Sequence, residues 1–251
     1  MSEKPATSLR LDQLLVARGL FDSRSRARDA IDRGTVCVDG KVVTKAGATF
    51  GPDAKIELDD PARAYVSRAA LKLAAALDHF NLDPAGLDCL DIGASTGGFT
   101  EVLLQRGAHH VVAVDVGHDQ MHPRIAQDAR VTNLEGLNAR ALSAADVGDR
   151  AISCVVSDVS FISLKLALPP ALSFAAPGAF CVLLVKPQFE AGREAIGKGG
   201  LLKDPASGPE VAATLERWLI EDMGWRSLGI IPSPIAGGDG NQEYLLAGRK
   251  S

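Results

Sequence analysis

A glycine-rich loop between a predicted strand and a predicted helix is the first part of this chain that could do chemistry. The apolar run 87–92 leads into the loop, and an apolar, helix-favouring segment begins directly after it. A strand, a tight glycine loop and a helix N-terminus together bind nucleotide-like ligands, because glycine lets a ligand approach the backbone without meeting a Cβ atom. The alternative is a βα turn whose role is only structural. The loop residues that we predict to contact a ligand are Gly93, Ala94, Ser95, Thr96, Gly97, Gly98 and Phe99.

The spacing of the glycines and the positions of two acids narrow the class of ligand. The loop reads G-x-x-x-G-G, which matches neither the dinucleotide motif nor the P-loop. Asp115, followed by Val116, ends the next predicted strand, where a doubly wound fold binds ribose hydroxyls. Asp91 precedes the loop and suits a ligand with a cationic amino acid end rather than a pyrophosphate. S-adenosylmethionine has such an end and no phosphate, so we predict it as the cofactor, with Asp91, Asp115 and Val116 in its site.

Four further charged residues lie in or directly beside predicted helices and strands, at positions where an α/β fold forms its active site. Lys72 lies in a predicted helix, Asp158 and Lys186 each follow a strand, and Glu243 precedes the last strand. An isolated charge of this kind is usually a surface residue. Lys186 fits that alternative least, because an apolar strand precedes it and a proline follows it. We therefore predict that these two lysines and two carboxylates are functional.

Strands alternate with helices from residue 67 onwards. This order predicts a mostly parallel, doubly wound, Rossmann-like α/β sheet with helices on both faces. The predicted strands are residues 87–92, 111–116, 152–157, 179–185, 227–231 and 244–248. The predicted helices are residues 67–80, 100–106, 118–127, 164–176 and 208–223.

Residues 9–60 form a separate module that is locally basic. We predict a short helix at residues 9–15, a second helix from Asp22 or Ser23 to about Gly34, and short strands after it. Residues 9–50 contain eight Lys or Arg against five Asp or Glu. Arginines crowded on one short helix beside a hairpin indicate contact with an RNA backbone, and a solvated helix face is the alternative. The residues that we predict to bind RNA are Arg10, Arg24, Arg26, Arg28, Lys41 and Arg68.

Two sets of motifs resemble known families. The first resembles the S4 RNA-binding domain and consists of Arg10-Leu11-Asp12, Ser25-Arg26, Ala30, Ile31, Gly34, Val36, Val38 and Gly40. The second, Lys72, Asp158, Lys186 and Glu243 in this order, resembles the FtsJ-like ribose 2′-O-methyltransferases. With A-S-T-G-G-F-T at 94–100 and S-D-V-S-F-I-S-L at 157–164, the whole chain resembles the TlyA (haemolysin A-like) family.

This resemblance implies S-adenosylmethionine-dependent 2′-O-methylation of cytidine in ribosomal RNA. It implies an α+β S4 RNA-binding domain at residues 8–60, a linker at 61–66 and an α/β methyltransferase domain with the Rossmann-like class I methyltransferase fold at 67–251. It also implies that Asn138 lies near the adenine of the cofactor and that Asp158 serves both the cofactor and the catalytic set. Members that also modify small-subunit RNA carry extra terminal sequence, whereas this chain ends seven residues after Tyr244. We therefore expect large-subunit (23S) RNA as the target, with the 16S RNA of the small subunit as a further possibility.

A ribose hydroxyl is a poor acid, so its oxygen must lose a proton as it attacks the methyl group. We hypothesise that Lys186 takes this proton or stabilises the developing alkoxide, with Lys72 as a neighbouring cation. Asp158 and Glu243 would orient the two amines. A neighbouring cation favours the neutral amine and a carboxylate favours the ammonium, so the sequence is compatible with either role of the lysine.

Other classes of function fit the chain less well. His118 and His122 have a spacing that could bind a metal, but no third ligand accompanies them, so we predict no metal. The uncharged run 166–185 has the length of a membrane span, but prolines interrupt it, and we predict a helix followed by a strand. A membrane-active haemolysin and a non-catalytic RNA-binding protein are the remaining alternatives. We expect a cytoplasmic monomer that binds ribosomal RNA and contacts no membrane.

Overall fold

The computed structural model describes residues 8–251. Its N-terminal unit extends to Ala64. Its elements are β1 (Leu9–Arg10), α1 (Leu11–Ala17), α2 (Arg24–Asp32), β2 (Val36–Val38), β3 (Lys41–Val42), β4 (Thr49–Phe50), β5 (Ile56–Leu58) and a 3-10 helix at Pro61–Ala64. Ser23 caps α2 by accepting a hydrogen bond from the Arg26 N–H. Leu9 and Arg10, predicted as helix, instead pair with β4.

Two small sheets and two helices enclose the core of this unit. The antiparallel sheets have the strand orders β1-β4 and β3-β2-β5. The buried side chains come from the apolar faces of α1 and α2, from the segment between these helices and from β2, and they are Leu11, Leu15, Phe21, Ala27, Ala30, Ile31, Val36 and Val38. The arginines of α2 lie outside this core.

The second unit, residues 65–251, contains a seven-stranded sheet. Its strands are β6 (Asp88–Ile92), β7 (His110–Asp115), β8 (Val131–Glu135), β9 (Ile152–Ser157), β10 (Ala175–Val185), β11 (Trp225–Pro232) and β12 (Tyr244–Lys250). Its helices are α3 (Ala70–Phe80), α4 (Gly98–Gln105), α5 (Pro123–Ala126), α6 (Ala144–Val147), α7 (Leu164–Ala167), α8 (Pro169–Phe174), α9 (Pro187–Glu190) and α10 (Gly208–Glu221).

The order of the strands is β11-β12-β10-β9-β6-β7-β8. The five strands from β10 to β8 are parallel, and β12 runs antiparallel between β10 and β11. Helices cover both faces, so alternate residues of each strand enter two separate cores. The predicted α/β fold is confirmed.

Several elements of this unit differ from the prediction, and the short helices α6 and α9 were not predicted. Strand β8 was not predicted, because an edge strand that is only partly buried lacks a strong apolar pattern. The predicted helix 118–127 shrinks to α5, since Glu135 accepts hydrogen bonds from the N–H groups of Asp119, Gln120 and Met121 and holds them in a loop.

The predicted helix 164–176 is divided into α7 and α8. Pro169 begins α8, and β10 begins at Ala175, so the uncharged run 166–185 contributes to two short helices and a strand. Among residues 8–251, no helix is both long and apolar enough to cross a membrane.

The inner strand β10 allows a direct test of how much the core contributes to stability. Leu183 is fully buried, so Leu183→Ala should lower the free energy of unfolding by about 3 kcal/mol through lost burial and a cavity. Urea unfolding followed by tryptophan fluorescence would report it, because both tryptophans, Trp218 and Trp225, lie in this unit. Leu166, whose side chain is 58% exposed, provides the control, and Leu166→Ala should cost less than about 0.5 kcal/mol. Similar losses in the two variants would contradict this view of the core.

Candidate active site

The strand directions bring the predicted site residues to one edge of the sheet. Gly93, Asp115, Asp158 and Lys186 each follow or end a parallel strand, and the carboxyl ends of parallel strands lie together. Glu243 precedes β12, which is antiparallel to β10, and Val185 pairs with Tyr244. The start of β12 therefore lies beside the end of β10, which places Glu243 at the same edge.

The four charged residues form two ion pairs. The Lys72 ammonium on α3 lies 2.5 Å from Glu243 Oε2, and these side chains are 7% and 2% exposed. The Lys186 ammonium lies 2.6 Å from Asp158 Oδ1 and donates a hydrogen bond of 2.7 Å to Ser160 Oγ. Since Asp158 Oδ1 has no hydrogen-bond donor in good alignment, its contact with Lys186 is mainly ionic. Each lysine is thus matched by its own carboxylate, a pairing that the order of the residues in the chain did not reveal.

The glycine loop has a backbone shape that side chains would obstruct. Gly93 has φ +84°, and a Cβ atom there would lie 2.8 Å from the Asp158 carbonyl oxygen. Gly97, with φ +91°, precedes the first residue of α4. Ser95 also adopts a left-handed conformation, and its N–H donates to Asp115 Oδ2 at 2.8 Å. The other oxygen of Asp115 accepts from the Gly117 N–H at 2.7 Å, so this carboxylate holds two loops in place.

Two adjoining cavities lie along this edge. The larger, of about 420 Å³, is lined by the predicted cofactor residues Gly93, Ser95, Asp115, Val116, Asn138 and Asp158, together with Phe161. The smaller, of about 150 Å³, is lined by Gly93, Ala94, Ser95, Thr96, Gly98, Phe99, Asp158 and Lys186, among others. Gly93, Ser95, Asp158 and Ser160 line both cavities. Asp91, Gly97, Lys72 and Glu243 line neither of them.

Asp91 lies beneath the loop and is fully buried. Its Oδ2 accepts a hydrogen bond of 2.6 Å from Thr100 Oγ1, whereas its Oδ1 has no hydrogen-bond partner. Burial, reinforced by the nearby Asp158 charge and opposed by the Thr100 hydrogen bond, raises the pKa of Asp91 from 3.8 to about 7. A buried oxygen without a donor at this position suits a cationic ligand group nearby.

Sequence reasoning missed the loop residues after β9. Ser160 contacts Lys186, and Phe161, with φ +66°, is 89% exposed beside the larger cavity. Glu190 supports this loop by accepting hydrogen bonds from Ser163 Oγ at 2.6 Å and from the Leu164 N–H at 2.8 Å. The repeated serines of the segment S-D-V-S-F-I-S-L were the available signal.

The predicted RNA-binding residues have different surroundings. In the N-terminal unit Arg10, Arg24 and Arg28 all contact Asp12, Arg26 contacts Asp22, and Lys41 is exposed on β3. Arg68, which is partly buried, belongs to the second unit. Of the two histidines whose spacing could bind a metal, His122 caps α5. No group of three or more His, Cys, Asp or Glu within residues 8–251 could hold a metal ion.

Comparisons with known proteins agree with the two sets of motifs. Residues 65–250 match the FtsJ-like methyltransferase family, and residues 9–56 match the S4 domain. The 16S/23S rRNA (cytidine-2′-O)-methyltransferase TlyA of Mycobacterium tuberculosis is 46% identical, over 96% of this chain and 90% of that protein. The 23S rRNA (cytidine-2′-O)-methyltransferase TlyA of Campylobacter jejuni is 34% identical, over 76% of this chain and 73% of that protein. A solved Streptococcus thermophilus structure with a hemolysin name has a TM-score of 0.75 and 40% identity, covering 98% of this chain and 90% of that one.

The raised pKa of Asp91 predicts a pH-dependent stability. A group whose pKa is higher in the folded protein stabilises it fully below the unfolded pKa, and this contribution is lost as pH rises through the folded pKa, here from about 4 to about 7. Asp91→Asn lacks this titration. As the pH rises from about 5 to about 8, the free energy of unfolding of the natural protein should therefore fall relative to that of Asp91→Asn by on the order of 2 kcal/mol.

Urea unfolding of both proteins at the two pH values would measure this gain. Asp78→Asn is the matched control, because it removes a carboxylate of the same unit that is 62% exposed. If Asp78→Asn and Asp91→Asn behave alike, Asp91 does not titrate in this window.

Proposed function

Because the chain belongs to the TlyA family of FtsJ-like methyltransferases with an S4 domain, we propose that it methylates the ribose 2′-oxygen of a cytidine in 23S rRNA, using S-adenosylmethionine. The observation that carries this proposal is the position of Lys186. Its ammonium, fixed by Asp158 and Ser160, faces the smaller cavity, which shares its glycine loop with the larger one. Both relatives named above act on 23S RNA by name, and one of them also acts on 16S RNA.

The residues of the two cavities fit S-adenosylmethionine. The larger cavity offers the Asp115 carboxylate for the ribose hydroxyls, and Asn138 lies in its wall for the adenine. Because Gly93 has no Cβ atom, the Asp158 carbonyl packs closely against the glycine loop. The buried Asp91, whose Oδ1 has no donor, would ionise more readily when the cationic amino acid end of the cofactor lies nearby. When bound, this cofactor supplies an electrophilic methyl group on a sulfonium that leaves without needing a proton.

Lys186 is the group that we propose acts on the acceptor oxygen. A lysine ammonium has three N–H donors, of which Ser160 accepts one, while the Asp158 carboxylate lies beside the ammonium as its counter-ion. A remaining N–H is available to the ribose 2′-oxygen and stabilises the negative charge that develops there as the oxygen attacks. The neutral amine in the same place would instead accept the hydroxyl proton, and the dependence of the rate on pH distinguishes the two roles.

The Lys72–Glu243 pair has a positioning role in this proposal. Both side chains are almost fully buried and line neither cavity, so their contact with each other holds α3 against the start of β12. Removing one partner would leave an unpaired buried charge next to the site, which is strongly unfavourable. The N-terminal arginines would bind the RNA backbone, and we place the enzyme with the ribosomes in the cytoplasm, where it acts as a monomer.

Lys186→Ala tests the catalytic assignment. We expect single-turnover methylation of unmodified 23S rRNA to fall by at least about 100-fold, because the group that acts on the 2′-oxygen is lost. S-adenosylmethionine affinity, measured by calorimetry, should change by less than about threefold, since Lys186 contributes little to the larger cavity. Lys165→Ala is the control, because this lysine on α7 is exposed and lines neither cavity. A near-normal rate in Lys186→Ala would remove Lys186 from the mechanism.

Mapping 2′-O-methyl groups in ribosomal RNA tests the target. Cells that lack the gene should lose a methylated cytidine in 23S rRNA and regain it with the natural gene, but not with the Lys186→Ala gene. Loss of a second methyl group in 16S rRNA would extend the target to both subunits. Unchanged methylation of both RNAs would contradict the proposed substrate, and no cofactor binding would favour a non-catalytic RNA-binding protein.

A further inference from the structure

One buried carboxylate in the N-terminal unit is shared by three arginines. Asp12, in the first turn of α1, has a fully buried side chain. Its Oδ1 lies 3.1 Å from Arg10 Nε, and its Oδ2 lies 3.0 Å from Arg24 Nη2 and 2.8 Å from Arg28 Nε. Arg10 comes from β1, whereas Arg24 and Arg28 lie one turn apart on α2. Asp12 therefore gathers guanidinium groups from two separate elements.

The charge of this cluster is well defined. Burial raises the pKa of Asp12, but the hydrogen bonds from Arg10, Arg24 and Arg28 outweigh it and hold that pKa well below its usual range. Three guanidinium groups and one carboxylate leave a net charge of about +2. The arginine side chains remain 45%, 47% and 47% exposed, so the cluster is a positive surface built on a buried anion.

We propose that Asp12 is a positioning residue that holds Arg10, Arg24 and Arg28 together as one binding site for the phosphates of an RNA backbone. The inference rests on the proposed function, because it assumes that the N-terminal unit binds ribosomal RNA. Each guanidinium has five N–H donors, and its contact with Asp12 uses only one or two of them. The remaining donors are available for phosphate oxygens.

The physical advantage is that the arginines are ordered before RNA arrives. A free arginine side chain must lose its rotamer freedom on binding, and this loss weakens the complex. The Asp12 carboxylate imposes part of that order in the unbound protein and keeps three like charges close together. Arg26 lies between Arg24 and Arg28 on α2, but it contacts Asp22 and the Ala62 carbonyl oxygen instead. The Asp12 carboxylate therefore holds only particular arginines of this helix.

The RNA affinity of Asp12→Asn distinguishes a positioning role from an effect of net charge alone, because the two predict opposite changes. The substitution removes one negative charge, so net charge alone predicts tighter binding of every RNA. If Asp12 positions the arginines, affinity of the full-length protein for a 23S rRNA transcript should fall by about tenfold near 0.15 M salt. Affinity for polyuridylate should stay unchanged or rise, since a flexible single strand adapts to displaced arginines. Equal or tighter binding of the transcript would overturn the inference.

Asp60→Asn is the matched control. Asp60 belongs to the same unit, its side chain is 1% exposed, and it accepts hydrogen bonds of 2.7 and 3.0 Å from Arg33. The substitution changes the charge by the same amount, but Arg33 is only 14% exposed and presents little surface to RNA. Its effect on transcript binding should stay within about twofold. Asp12→Glu keeps the acceptor and should recover part of the loss.

A second measurement covers the case in which Asp12→Asn unfolds the N-terminal unit and weakens binding of both RNAs. Arg24→Gln and Arg28→Gln, alone and combined, then provide the test. In a single site organised by one carboxylate the double variant should bind little worse than either single variant. Fully additive losses would mean that the arginines act independently and would overturn the inference.

The outcomes also separate this inference from the proposed function. If the natural protein binds the 23S transcript no better than polyuridylate, the proposed substrate is at fault. If it prefers the transcript and Asp12→Asn shares that preference, only the role of Asp12 is wrong.

Discussion

The parallel pairing of β6, β7, β9 and β10 is the constraint on which the candidate active site depends. Parallel strands need crossover connections, and each crossover begins at the carboxyl end of a strand, so every loop that leaves a strand starts at the same edge. The glycine loop, Asp115, Asp158 and Lys186 meet there because of this geometry. The antiparallel strand β12 adds the opposite chain direction, which allows Glu243 to reach that edge from the beginning of a strand.

Charge in this region is stabilised by pairing, because buried charge without a partner is costly. Lys72 is paired with Glu243 and Lys186 with Asp158, whereas Asp91 has an oxygen with no donor. The two lysine–carboxylate pairs keep ammonium groups in a partly dehydrated site. Asp91 is different, since burial there opposes ionisation more strongly than the Thr100 hydrogen bond favours it, and a cationic neighbour would favour the carboxylate further. The buried carboxyl group of Asp91 lowers the stability of the folded protein near neutral pH, and the same burial suits the binding of a cationic ligand group.

The N-terminal unit also pairs its buried charge, but here a buried carboxylate is paired with cations. Asp12 is a buried anion that is tolerated because three arginines neutralise it, and those arginines keep about half of their surface exposed. In both units, therefore, a buried charge fixes the position of charged groups that face the solvent or a cavity. The helix Arg24–Asp32 buries its alanine and isoleucine side chains and leaves its arginines outside, which permits this arrangement.

The sequence by itself determined the fold class and the glycine loop, and it singled out the charged residues of the candidate site, because these follow from local signals: apolar strands, glycine spacing and polar residues at strand ends. It did not determine strand β8, since an edge strand such as Val131–Glu135 has little apolar periodicity. Nor did it reveal that Lys72 pairs with Glu243, 171 positions away, or that Lys186 contacts Ser160. The convergence of Arg10, Arg24 and Arg28 on Asp12 was hidden in the same way. Only the tertiary structure decided these partners, because side chains distant in the chain meet according to strand order and helix packing, and no local pattern of residues encodes that geometry.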